Sequence, residues 1–237
     1  MKANTMFGQM YNKSQKISEL ADYLQVSISG LREHEIIEKC EKIDYPMILH
    51  GDWENKSSPN TILDSSRCDE YINALGELAR QKNILGLTLH PPLRNIDDVL
   101  PTFLTNVRTI EDGCGVPVFV ENRSNDKYLI SRKNDIEKLI ESEIKLCIDV
   151  PQLYINLKYD MGALILLMEY LASCKIYELH IGNIRRSNNR TMVAQTIPNG
   201  EIDFSILKPH IKAPHLTFEV FGGKNGFESS LKTLQSY

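Results

Sequence analysis

The chain is most informative first in what it lacks. Its five cysteines, Cys40, Cys68, Cys114, Cys147 and Cys174, are odd in number and widely spaced, and no C-x-x-C pair occurs among them. That pattern excludes a disulfide framework and a cysteine-based zinc site, leaving reduced and mostly packed thiols. No apolar run approaches the roughly 18 residues of a membrane span; the longest, Ala163 to Ala172, is broken by Glu169 and reads as a helix buried on one side. The N-terminus carries no apolar segment followed by a small-residue cleavage site, so a soluble cytoplasmic protein without membrane partners is expected. A formal net charge of −4 offers no global attraction for nucleic acid. Nor does a Gly-rich phosphate loop follow any strand-like segment, which disfavours a doubly wound dinucleotide fold.

What is present is alternation. Apolar runs at Leu24–Ile28, Pro46–His50, Leu85–His90, Val116–Glu121, Lys145–Val150, Ile176–Ile181 and Leu216–Phe221 are nearly continuous in Val, Ile, Leu and Phe. Strands covered on both faces look like this. Between them lie stretches with helical apolar spacing, at Arg32–Lys42, Cys68–Gln81, Asp97–Glu111, Asp135–Ser142 and Met161–Ser173. The expected architecture is α/β, a single-domain (β/α)8 TIM barrel over residues 1–237. An eighth strand must come from Thr5–Tyr11, although Gly8 and Gln9 interrupt it, with Ser14–Asp22 as its helix. Glu54–Arg67 and Arg185–Gly200 are the loosest stretches, and both follow strand C-termini, where a barrel builds its active-site loops.

Six strand ends carry a residue able to bind metal: His50, His90, Glu121, Asp149, His180 and Glu219. Each alone has an ordinary explanation, such as a helix cap or a hydrogen-bonded core histidine. Together, at the common rim of parallel strands, so many carboxylates and imidazoles would repel or lose solvation unless a cation neutralised them. Mixed nitrogen and oxygen ligands suit one or two divalent ions such as Zn, Mn, Co or Fe.

This ordered set resembles the xylose isomerase-like TIM-barrel superfamily, which contains sugar isomerases and epimerases and endonuclease IV-type AP endonucleases. The resemblance runs from about Leu24 to Phe221. It implies a central metal held by Glu121, Asp149, His180 and Glu219. In the endonuclease branch, His50 and His90 would join Glu121 around a second ion. A third zinc is not expected, because Gln152 stands where that branch has a histidine, and Arg185–Gly200 contains no His, Asp, Glu or Cys. Gly182-Asn183 likewise replaces an acidic residue usual after the strand histidine.

The leading expectation is a metal-dependent isomerase or epimerase acting on a sugar or sugar phosphate, with Glu121 and Glu219 transferring the proton. Trp53, Arg123, Gln152, Asn183 and Arg185 are the candidate substrate contacts. The alternative is a metal-dependent phosphodiesterase of the AP endonuclease type with two ions, for which Arg94, Arg123, Arg185, Arg186 and Arg190 would contact phosphate. A third possibility is another metal-dependent barrel, such as an iron-dependent peptide-modifying enzyme. The oligomeric state is not encoded in any feature of the sequence.

Overall fold

In the computed structural model, which describes residues 5–51, 63, 65–93, 99–124, 126–187 and 190–237, eight parallel strands close into a barrel. They are β1 (Met6–Met10), β2 (Tyr23–Ser27), β3 (Met47–His50), β4 (Ile84–Leu89), β5 (Val118–Glu121), β6 (Leu146–Asp149), β7 (Ile176–Ile181) and β10 (His215–Phe218). Their order around the barrel is β1-β10-β7-β6-β5-β4-β3-β2. β8 (Asn183–Ser187) and β9 (Arg190–Gln195) form a separate antiparallel hairpin. The architecture is therefore the (β/α)8 barrel expected from the alternation. By contacts the chain divides into two compact halves, a terminal half of residues 1–23 with 146–237 and a central half of residues 24–145.

In the central half, β2 to β5 pair in sequence order, and every residue of β3 and β5 is buried. Helices α1 (Glu33–Glu41), α2 (Ser65–Leu78), α3 (Val99–Cys114) and α4 (Lys133–Glu141) connect or follow them. Their apolar stripes do the packing: Ile36 and Cys40 of α1, Phe103, Val107 and Ile110 of α3, and Ile136 and Leu139 of α4 are buried.

In the terminal half, β1 pairs with β10, β10 with β7 and β7 with β6, all parallel. Among the described residues, the helices here outside the expected pattern are α5 (Val150–Asn156), the short α7 (Phe204–Leu207) and the C-terminal α8 (Gly223–Ser236). α6 (Met161–Ser173) matches its expected span; Asp160 caps it by accepting from the Ala163 amide, and Glu169 lies on its exposed side.

Two expectations are corrected. The Ser14–Asp22 segment forms turns, with no helix. Polar side chains there take over the backbone groups a helix would use: the Gln9 amide donates to the Lys16 carbonyl and its oxygen accepts from the Ser18 amide, while Asn12 accepts from the Ser14 amide and hydroxyl. Asp22 in turn accepts from the Phe7 amide of β1. Within Arg185–Gly200, the described residues include the β8–β9 hairpin and a 3-10 turn at Ile197–Asn199.

Gly8, which made β1 hard to recognise, has a steric cause. A Cβ there would lie 2.3 Å from the ring of Tyr23, and Tyr23 is fully buried. The glycine makes room for that ring inside the barrel. Among the described residues no helix is long and apolar enough to cross a membrane, and all five cysteines are free.

Candidate metal centre

The central half contributes a compact trio. His50 ends β3, Glu121 ends β5 and His90 directly follows β4; all three are buried. Nε2 of His50 and Nε2 of His90 each lie 2.9 Å from the same oxygen, Oε2 of Glu121. The two rings meet edge to face with centroids 4.8 Å apart. On the other Glu121 oxygen, Arg123 Nη1 approaches to 3.7 Å, and its guanidinium sits 5.5 Å over the Tyr128 ring. Burial pushes the His90 imidazole down to about 4 despite the opposing pull of Glu121. It is therefore neutral at pH 7, the form in which histidine binds metal. Two imidazole nitrogens and a carboxylate oxygen, all within 4.8 Å of one another, fit a borderline divalent ion such as zinc.

The terminal half contributes Asp149 at the end of β6, His180 in β7 and Glu219 just after β10. Asp149 and His180 are partners in the strand register. Asp149 also does the work of a helix cap: its Oδ1 accepts from the Gln152 amide at 2.7 Å and opens α5, with Pro151 in the first turn. His180 is buried between two carboxylates, with Nε2 3.3 Å from Glu178 Oε1 and Nδ1 3.4 Å from Glu219 Oε1. Glu178 is fully buried, whereas the Glu219 side chain is 27% exposed. Cys147, Glu178 and His180 also bring ligand atoms within 4.8 Å of one another.

Glu178 was not among the sequence candidates, yet a signal for it exists. It stands two residues before His180 in Tyr-Glu-Leu-His, so a period-2 strand sends both side chains to one face. An acidic residue inside a strand that is otherwise nearly all buried is the anomaly that marks it. Cys147 belongs with the packed thiols, but its place beside Glu178 could be found only from the strand register, in which the two are partners.

The proposed substrate contacts divide sharply. Gln152 has a buried Oε1 with no hydrogen-bond partner among the described residues. Asn183 has a different role from the one expected. Its amide nitrogen donates to the carbonyls of Ile197 and Ile202, and its oxygen accepts from the amides of Ile184 and Ile202. The side chain is fully buried and saturated, so it ties the hairpin to the following segment and has nothing left for a substrate. A Cβ on Gly200 would lie 2.0 Å from this amide, which explains the glycine there.

Arg185 is exposed on β8, and Arg190 on β9. Arg186 is held by Glu201, at 2.6 Å from its Nε, and stacks 4.3 Å over Tyr159. Trp53 and Arg94 lie outside the described residues.

Solved structures match this architecture end to end. The IolI protein, whose crystal structure has a bound zinc atom, is 12% identical with a TM-score of 0.66, the match covering 98% of this chain and 99% of that one. Endonuclease IV from Thermus thermophilus is 12% identical with a TM-score of 0.64, covering 98% of each chain. A sugar phosphate isomerase/epimerase from Parabacteroides distasonis is 13% identical with a TM-score of 0.57, covering 91% of this chain and 84% of that one. The shared feature is the closed (β/α)8 barrel. No protein-family model matches the chain, and no curated protein sequence is similar to it. Identities this low carry the architecture alone, so the chemistry must be argued from the side chains.

Proposed function

We propose that the protein is a divalent-metal-dependent isomerase or epimerase acting on a sugar or sugar phosphate. In this reading Glu121, Asp149, His180 and Glu219 hold the central ion, since a closed parallel barrel gathers its strand C-termini on one rim. The ion, when bound, polarises a substrate carbonyl and its neighbouring hydroxyl, acidifying the C–H bond between or beside them. The observation that carries the reading is the contrast between the two glutamates. Glu121 is buried under two imidazoles, whereas Glu219 is partly exposed beside His180.

Glu219 is the more accessible of the two carboxylates, and in this reading it removes the proton. In epimerisation Glu121 returns a proton to the opposite face; the C–H bond broken at one face is replaced by a C–H bond at the other. The enzyme then resets by moving one proton from Glu219 to Glu121 through solvent. The buried Gln152 Oε1 is an acceptor suited to a sugar hydroxyl. Arg123, beside Glu121, and the exposed Arg185 supply positive charge for a phosphate or acidic group.

A second reading, a two-metal phosphodiesterase of the AP endonuclease type, is favoured by one specific feature, the His50–His90–Glu121 trio. Against it stands the β8–β9 hairpin, which offers no acidic or imidazole ligand for the third zinc of that branch.

The discriminating experiment uses Glu219→Gln, which keeps the shape but removes the proton acceptor. Wild type and variant are incubated in deuterated water with a panel of ketoses and their phosphates. Deuterium enters a carbon-bound position with the wild type and at least about 100-fold more slowly with the variant, while sugar binding persists. A wild type that exchanges no carbon-bound proton, yet cuts an abasic-site duplex in a metal-dependent way, would replace this reading with the second.

A further inference from the structure

The interior of a (β/α)8 barrel is ordinarily filled by branched apolar side chains. The terminal half departs from that rule. Glu178, with no exposed surface, accepts a hydrogen bond from the Thr217 hydroxyl at 2.5 Å. The Thr217 oxygen lies 2.7 Å from the Tyr23 hydroxyl. Because the Thr217 proton is committed to Glu178, Tyr23 must be the donor to Thr217. Burial, and then the charge on Glu178, hold the Tyr23 phenol well above its usual range, so it keeps that proton. The chain of donors runs one way, Tyr23 to Thr217 to Glu178, and ends on a carboxylate 3.3 Å from His180 Nε2.

The strands are built for this arrangement. Gly8, Thr217, His180 and Asp149 occupy one register row across β1, β10, β7 and β6, and Met6, His215, Glu178 and Cys147 a row two residues earlier, on the same face. Gly8 vacates the volume that the Tyr23 ring fills, and His215 braces that ring edge-on at 5.6 Å. A buried carboxylate is costly unless hydrogen bonds and a partner charge or dipole compensate it. Four residues here are arranged to provide that compensation, and they end at the ring of a proposed metal ligand.

We infer that Glu178 is a positioning residue for the metal centre, one that fixes the His180 ring as the Nε2–H tautomer and turns the Nδ1 lone pair toward the metal and Glu219, with Thr217 and Tyr23 holding Glu178 in place. Metal-binding histidines commonly donate their second N–H to such a carboxylate, which orients the ring and raises its basicity. The inference rests on His180 being a metal ligand, as the proposed function requires, and is independent of the reaction catalysed.

The test is a pair of measurements on Glu178→Gln, which preserves volume and so leaves a purely packing role unchanged. In the metal-free wild type, imidazole 15N NMR finds His180 with a pyridine-type Nδ1 and a pyrrole-type Nε2. Its signals are assigned by their loss in His180→Gln. The variant loses this tautomer bias, and zinc titration against a competing chelator gives an affinity about 10- to 100-fold weaker. Thr217→Val, an isosteric change in β10, weakens zinc severalfold and serves as the probe if Glu178→Gln does not fold. Unchanged affinity and tautomer in a folded Glu178→Gln, or unchanged affinity in Thr217→Val, overturns the inference. A wild type that binds no zinc overturns it together with the metal reading. Zinc binding weakened as described in a protein without isomerase activity upholds the inference and removes only the proposed reaction.

Discussion

The two halves of the barrel solve the same problem with different charge. In the central half, two imidazoles converge on a single carboxylate whose other oxygen faces Arg123, so the cluster is formally close to neutral. In the terminal half, one imidazole is set among Asp149, Glu178 and Glu219, a formally anionic group. On these charges we expect the terminal-half group to depend more on a bound cation than the central-half trio.

Removing one imidazole from each half strains that comparison most. Structural zinc sites with four ligands bind with roughly 12 kcal/mol, or about 3 kcal/mol per ligand, which is about 100-fold in affinity. We expect His180→Ala to weaken the tight ion about 100-fold, measured by zinc titration against a competing chelator. His50→Ala should retain one tight ion and lose only the second. Equal losses from both variants would erase the proposed difference between the halves.

Acid should act on the central half of the metal-free protein through His90. Its folded pKa of about 4 lies below the ordinary value of 6.5, so the unfolded chain takes up the proton first as pH falls. The stabilisation is complete above pH 6.5 and is lost progressively down to pH 4, by roughly 3 kcal/mol in all. Urea midpoints in EDTA across this range, compared with those of His90→Asn, isolate the contribution. A variant whose pH slope equals that of wild type would remove it.

Next in size is steric. Gly8→Ala drives a Cβ into the Tyr23 ring, and overpacking of this kind costs about 2 kcal/mol. Thermal unfolding should drop by roughly 5 °C, with the tautomer of His180 disturbed as the Tyr23 ring shifts. Asn183→Ala breaks four backbone hydrogen bonds and should destabilise by a comparable amount, with faster amide exchange across β8 and β9. Stability within error of wild type would restore Asn183 as a candidate substrate contact. The smallest effect belongs to the exposed Arg185, where Arg185→Ala should change stability by less than about 0.5 kcal/mol. Any loss should fall on KM for phosphorylated substrates.

Strand positions and the six rim residues could be read from the sequence because buried parallel strands are long apolar words that stop at a polar residue, as Ile-Leu-His and Phe-Val-Glu do here. The β1 strand was legible only by necessity, since Gly8 serves a ring fifteen residues away in a contact that no local pattern records. Ser14–Asp22 misled because its helical spacing is overridden by Gln9 and Asn12 side chains that capture backbone groups. The hairpin was hidden for a related reason. Its anchor, Asn183, acts through Ile197, Ile202 and Gly200, and a polar, Asn-rich segment without apolar alternation gives no strand signal. Asp149 is a reminder that an ordinary role and a proposed functional one can share a side chain, since its Oδ1 caps α5 at the strand end where an ion is proposed.

Metal position is the property on which everything above depends most directly. Crystals grown with zinc and measured on both sides of its absorption edge would locate the ion by anomalous scattering. The prediction is a principal peak with Glu121, Asp149, His180 and Glu219 ligand atoms at about 2.0 to 2.3 Å. A fully occupied peak coordinated by none of the terminal-half residues, or none within the barrel at all, would contradict it.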